Sequence, residues 1–291
     1  MTHQYYRGIA LVIVLWATAL LTGIATTYAL MMRTEGESSS SFARRVEALA
    51  LAEAGIHRAI YNLLEAPDEE STWAVNGTPL QIELDGGNVD VRIFAEAGRI
   101  DLNRAPIALL TGLAEVAGAS DPKAVGAAIV DWRDKDSKVT EAGAEDADYA
   151  AAGRPYGAAD RPFYSTSELH QLIGVTRPVA AAMQRHSTIF NRSSKVDVTT
   201  ASSAVLKALP SVDVEQVEQF LRTRAIQLLG PAAASFLRIG TRTFQHRGFF
   251  TIEARGITHA GTSATAGVLI LLTRSPREPY AVMSATQDFA W

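Results

Sequence analysis

The sequence predicts an α+β fold on three observations: an uncharged apolar run near the N-terminus, alternating strand patterns both early and late in the rest of the chain, and a helical period between them. Ile9 to Met32 is a stretch of 24 residues with no charged side chain, ended by Arg33. As a helix it would reach roughly 36 Å, enough to cross the roughly 30 Å hydrocarbon core of a bilayer with some tilt. The short polar leader before it closes on Arg7-Gly8, and the change to apolar residues is abrupt. A secretory signal is the competing reading, with Arg7 as its basic region and Thr27-Tyr28-Ala29 as a small-x-small cleavage site. The apolar part of such a signal is ordinarily only about 7 to 15 residues long.

Beyond Glu35-Gly36-Glu37 and its four serines, Phe42, Val46, Leu49, Ile56, Ile60 and Leu63 recur at helical spacing. This predicts an amphipathic helix that continues the span as one spine, loosened near Gly36 to Ser41, with an apolar stripe that needs cover. Leu80, Ile82 and Leu84 alternate with polar residues, as do Val89, Val91 and Ile93 after Gly86-Gly87, which is a hairpin pattern. From Arg104 to Pro231 the period is helical, with segments near 105–117, 121–133, 166–173, 178–186, 202–208 and 213–228. Strand patterns return at Phe250, Ile252 and Ala254, at Ala266 to Leu272, and at Tyr280 to Met283. Neither strand group has enough partners alone, so the expected architecture is a helix on one antiparallel sheet interrupted by an all-α insertion. Within the insertion, Ile100-Asp101-Leu102-Asn103-Arg104-Ala105-Pro106 and Val196-Asp197-Val198-Thr199-Thr200-Ala201-Ser202 form an internal repeat, each ahead of a helix.

The chain of 291 residues has a net charge of −4 and no cysteine, which excludes disulfides and thiolate metal sites. Residues 167–175 with Ala180 to Ala182, and Leu206 to Arg224, resemble helix-hairpin-helix modules, whose hairpin amides often hold DNA phosphate. The second glycine that lets backbone approach a phosphate is replaced by Thr176 and Val212. Residues 99–229 carry 15 basic and 16 acidic side chains, so no basic surface supports a nucleic-acid partner and the modules read as packing units. The six histidines form no metal or catalytic pattern, and no phosphate loop is present, so no catalytic residues are assigned.

Seven carboxylates, Asp131, Asp134, Asp136, Glu141, Glu145, Asp146 and Asp148, fall within 18 residues that hold only three basic side chains, Arg133, Lys135 and Lys138. Spacing leaves two readings open: an acidic loop spread into solvent, or oxygen ligands for a hard cation, of which calcium is the natural candidate. Asp134, Asp136 and Glu145 occupy EF-hand places one, three and twelve, yet Lys138 and Val139 stand where that loop needs an oxygen and a glycine. The candidate metal ligands are Asp131, Asp134, Asp136, Glu145 and Asp148.

The leader with Arg7-Gly8, the non-acidic Ile13, Leu51 to Ile56, Arg99 to Asn103, Ile129 to Trp132 with Asp134 and Asp136, Gly143 to Asp146, and Ser167-Glu168-Leu169 together resemble the general secretion pathway protein K family. These are the large minor pseudopilins of the type II secretion system. The resemblance implies cleavage by prepilin peptidase after Gly8, leaving Ile9 as a methylated N-terminus. It divides the chain into a leader (1–8), a transmembrane helix (9–32), a pilin-like domain (33–103 and 236–291) and an inserted α-helical, SAM-like domain (104–235). It further implies a single-pass protein of the inner membrane with its body in the periplasm. There it would initiate and cap the pseudopilus tip with pseudopilins of types I, J and H, and through them meet the major pseudopilin. The family's inserted domain binds calcium, and its fifth mature residue, here Ile13, lacks the usual glutamate. Arg104 and Thr199-Thr200 depart from the family's repeat pattern. The alternative class is a membrane-anchored helix-hairpin-helix protein that binds DNA, which would need no sheet.

Overall fold

The computed structural model describes residues 5–65, 73–227, 248–273 and 275–287. Residues 1–4 of the expected leader lie outside the described residues; Gly8 and Ile9 lie on the first helix, whose side chains are described from Ala10. That helix, α1 (Tyr5–Glu65), is a single run of 61 residues, about 90 Å long. It is long and apolar enough at its N-terminal end to cross a membrane. Four threonines in the apolar part, Thr18, Thr22, Thr26 and Thr27, donate to carbonyls three or four residues earlier at 2.7 to 2.9 Å. Their hydroxyls are thereby satisfied within the helix, which an apolar surrounding requires.

The expected loosening at Gly36 to Ser41 is absent: α1 runs through it unbroken. One glycine costs a helix interior only about 1 kcal/mol relative to alanine. Here Arg33 pairs with Glu37 one turn on at 3.2 Å, and Ser40 folds its hydroxyl back onto the Glu37 carbonyl at 2.9 Å.

The main sheet has five antiparallel strands in the order β1 (Leu80–Leu84), β2 (Gly87–Ala95), β5 (Gly248–Thr258), β6 (Ser263–Leu272) and β7 (Tyr280–Gln287). β2 and β5 are hydrogen-bonded neighbours, from Gly87 opposite Thr258 to Ala95 opposite Phe250. Everything between them therefore leaves and rejoins the sheet at one place. β7 extends four residues past the apolar pattern, to Gln287, because backbone pairing with Ala266 to Leu269 requires no apolar side chain.

One face of the sheet is buried against α1. Val89, Val91, Ile93, Ala95, Phe250, Ile252, Ala254, Ala266, Val268, Ile270 and Leu272 alternate along their strands and meet Leu51, Ala52, Ile56, Ala59, Ile60 and Leu63 in one core. Small residues set the depth of that contact. A Cβ on Gly256 would stand 2.1 Å from the Ala48 carbonyl oxygen, and one on Gly55 would stand 2.5 Å from a Val89 methyl. Helix and sheet approach too closely there for any larger side chain.

Between β2 and β5 lies a second core built from α2 (Ile107–Val116), α3 (Pro122–Arg133), α4 (Asp146–Ala151), α5 (Arg177–Gln184), α6 (Ser203–Lys207) and α7 (Val214–Gln227). Thr166–Gln171 is a 3-10 helix, and the parallel two-residue strands β3 (Ile100–Asp101) and β4 (Ser187–Thr188) tie the start of this region to its middle. The two halves of the repeat are built alike. In each, the backbone carbonyl of the aspartate accepts from residues three and four further on, Arg104 and Ala105 for Asp101, and Thr200 and Ala201 for Asp197. In each, the aspartate side chain also accepts from the backbone two residues on, Asn103 at 2.8 Å and Thr199 at 3.0 Å.

Candidate functional site

The acidic run folds into a loop between α3 and α4, organised around Asp131. Asp131 is in the last turn of α3 and fully buried, because its carboxylate takes backbone amides in place of water. It accepts from Thr140 N at 3.2 Å and from Ala144 N at 2.8 Å, so one side chain fastens both sides of the loop. A Cβ on Gly143 would lie 1.9 Å from Asp131 Oδ2; glycine is required for that approach. Asp146 fastens a second stretch in the same manner, accepting from Ala158 N at 3.0 Å beside Gly157, whose Cβ would lie 1.8 Å from its Oδ1.

Asp134 and Glu145 face each other's charge within this frame. Glu145 is buried and caps α4, exchanging side-chain bonds with the backbone of Asp148, yet its Oε1 is buried with no hydrogen-bond partner. Asp134 Oδ1 is likewise buried and unpartnered. Burial, together with Asp131, Asp134, Asp160 and Asp146, pushes the Glu145 carboxyl up to about 7. Burial and the neighbours Asp136, Asp131 and Asp160 raise Asp134 as well, against a smaller pull from Arg133. Arg133 is engaged elsewhere, donating to the carbonyls of Leu102 and Ala105.

Of the five ligand candidates, Asp131, Asp134 and Glu145 act on one another electrostatically. Asp136 and Asp148 are exposed; their carboxylates accept from Lys138 N at 2.9 Å and Glu145 N at 3.0 Å, which shapes the loop and the start of α4. Asp160, outside the acidic run in sequence, joins the cluster electrostatically and was not among the candidates. Its positive φ of 50° marks a turn that returns the chain to the loop, a signal no residue pattern announces. Among the described residues, no group of three or more acidic or histidine side chains is placed so that it could hold a metal ion. Uncompensated carboxylates repel one another, and two buried orphan oxygens are the donor type a hard cation takes.

Next to the loop, Trp132 stacks with Tyr149 and Phe163 at centroid distances of 5.7 and 6.3 Å and donates its indole N–H to Glu168 at 3.2 Å. Burial works against the Glu168 charge, but bonds from Tyr164 N, Trp132 and Ser165 N, with Arg161 beside it, hold its carboxyl below the usual range. The Ser167-Glu168-Leu169 stretch thus locks the wall of the acidic loop. The hairpin turns at Gly118 and Gly174, both at positive φ, connect helices whose apolar faces enter the same core.

Residues 95–192, which contain the acidic loop and its aromatic wall, match the family model for type II secretion system (T2SS) protein K. That match covers about a third of the chain. The chain is 30% identical to the type II secretion system protein K of Pseudomonas aeruginosa over 52% of this chain, a match that spans 49%, about half, of that relative's length. A chain of the crystal structure of the GspK-GspI-GspJ complex from the enterotoxigenic Escherichia coli type 2 secretion system has the same fold. It has a TM-score of 0.51 and 17% identity, over 89% of this chain and 99% of that one. The α+β class, a long N-terminal helix on an antiparallel sheet with a helical insertion, is thereby shared with that chain.

Proposed function

We propose that this chain is a type II secretion system protein K, the minor pseudopilin at the tip of the type II secretion pseudopilus, initiating and capping its assembly for export across the outer membrane. One observation carries the reading: a single helix joins the apolar span to the sheet, while the insertion leaves and rejoins that sheet between the neighbouring strands β2 and β5. Such a body is held at the membrane by one anchor and bears its bulk on one side. Roughly 130 inserted residues obstruct the repeated contacts of a helical filament, which favours a terminal position.

In this reading prepilin peptidase removes residues 1–8, cutting after Gly8. Ile9 becomes the N-terminus, the span lies in the inner membrane, and the body is periplasmic. Pseudopilins of types I, J and H are its direct partners, and nucleic acid is not one. Intact mass of the membrane-extracted protein tests the processing step: loss of residues 1–8 with methylation at Ile9 is expected, and a start at residue 30 overturns it.

The same reading assigns calcium to the acidic loop. Asp134 and Glu145 would hold it through their unpartnered oxygens, supported by Asp131 and Asp160, while Asp136 and Asp148 keep the loop in shape. The ion's chemistry there is electrostatic, neutralising carboxylates that otherwise repel. Bound calcium would make the loop a rigid part of the insertion rather than a reactive centre.

A further inference from the structure

Asn76-Gly77 is the one Asn-Gly pair in the sequence; the other asparagines, Asn62, Asn88, Asn103 and Asn191, precede Leu, Val or Arg. Such a pair is chemically labile, because glycine has no side chain to keep its amide nitrogen away from the asparagine carboxamide carbon. The pair lies where the chain meets the sheet ahead of β1. Asn76 forms a bridge with Phe94 of β2, Ala95 N donates to the Val75 carbonyl at 2.8 Å, and Gly77 N donates to the Ile93 carbonyl at 2.8 Å.

The two groups that would react are in opposite states. The carboxamide is activated: Asn76 Oδ1 accepts from Thr78 N at 3.0 Å and from Thr78 Oγ1 at 2.6 Å, donors placed where negative charge gathers during attack on the carbonyl. These contacts lie within three residues, so they do not depend on the sheet. The nucleophile is withheld, because the Gly77 N–H is taken by Ile93 and the residue is pressed against an aromatic ring. A Cβ on Gly77 would stand 2.2 Å from Phe94 Cε1. Arg99 lies over the same ring at 4.6 Å and is itself held by Glu96 at 3.0 Å.

We propose that Asn76 is a deamidation site held closed by the pairing of Val75 to Gly77 with β2 and by the Phe94 ring, and that it converts only when this segment comes off the sheet. Local opening of that kind needs less than global unfolding. Once Gly77 N–H has lost Ile93, the nitrogen bonds to Asn76 Cγ, the Cγ–Nδ2 bond breaks, and ammonia leaves with the proton that Gly77 gave up. Water then opens the succinimide ring, at one carbonyl to give aspartate and at the other to give isoaspartate. The isoaspartate product lengthens the backbone by one carbon between Val75 and Gly77, so their two bonds to β2 no longer share a register. The site thus records an opening of this sheet edge irreversibly.

The test is peptide mapping by mass spectrometry of the full chain in detergent micelles, incubated at mildly alkaline pH with and without guanidinium chloride. Conversion of Asn76 to aspartate and isoaspartate is followed over time. It is expected to be at least tenfold slower in the native chain than in the denatured one. Phe94→Ala removes the ring against Gly77 and leaves both reacting groups in place, so it should speed conversion under native conditions at least tenfold. Native conversion as fast as in denaturant, or no conversion in either condition, would overturn the proposal, and the parent chain alone decides this if Phe94→Ala does not fold. A Phe94→Ala chain with the circular dichroism of the parent and an unchanged native rate would overturn it as well.

Discussion

Arg133 and Arg224 occupy equivalent places in the two halves of the helical insertion. Arg133, at the end of α3, donates to the carbonyls of Leu102 and Ala105, one and four residues after Asp101; Arg224, in α7, donates to those of Val198 and Ala201, one and four residues after Asp197. Each guanidinium thus ties the last helix of a module back to the turn that begins it. Burial lowers the pKa of both, opposed by Asp101 and Asp134 at Arg133 and by Asp197 at Arg224. Replacing Arg224 with Met should leave those carbonyls unsatisfied and cost about 1 to 3 kcal/mol in urea unfolding. Arg222, exposed and paired with Glu218 at 3.6 Å, should change stability by less than about 0.5 kcal/mol on the same substitution.

Gly256→Val tests the contact between the spine and the sheet. The added side chain meets backbone, the Ala48 carbonyl at 2.1 Å and Ala52 N at 2.7 Å, and neither can move without shifting α1. The expected loss is about 1 to 3 kcal/mol or more, read from thermal unfolding. Gly261, with nothing within 4 Å but a φ of +80°, should lose less on change to Asn, which tolerates that conformation.

Gly143→Ala should abolish calcium stabilisation while leaving most of the fold intact. Its Cβ falls 1.9 Å from Asp131 Oδ2, so the loop that presents Glu145 must detach from its anchor. Differential scanning calorimetry with and without calcium should show a gain in Tm for the parent chain and none for the variant.

The pH dependence follows from Glu145. Its folded pKa of about 7 lies above the unfolded value of about 4.3, so the folded chain binds the extra proton. The ion-free protein is therefore most stable below about pH 4 as far as this group is concerned, and loses that contribution as pH rises through 7. Asp134, also raised, acts in the same direction. A cation replaces the proton, so the gain in Tm from calcium should be larger at pH 8 than at pH 5, and Glu145→Gln should flatten the difference. An equal gain at both values would contradict the assignment.

Much of the fold was legible in the residues, for reasons that differ by element. Alternation in Val89 to Ile93 and Phe250 to Ala254 announces strands because one face is buried, and their pairing follows from the lack of other partners. The repeat was visible at Asp101 and Asp197, where the turn chemistry is local. Its closing arginines were not, because each reaches carbonyls more than twenty residues back. The acidic loop could be found by charge density, but density does not separate Asp131, buried under the backbone amides of Thr140 and Ala144, from Asp136 in solvent. Asp160 lies outside that dense run, since α4 and the turn after it intervene. The strands β3 and β4 have two residues each, too few for any period to register.

Co-purification measures assembly as a tip pseudopilin most directly. The full chain, extracted in detergent after co-expression with pseudopilins of types I and J from the same organism, should elute as a complex with one copy of each. Light scattering on the eluted peak gives the stoichiometry. A complex of the type I and J proteins that excludes this chain, with the chain eluting alone, would contradict the account.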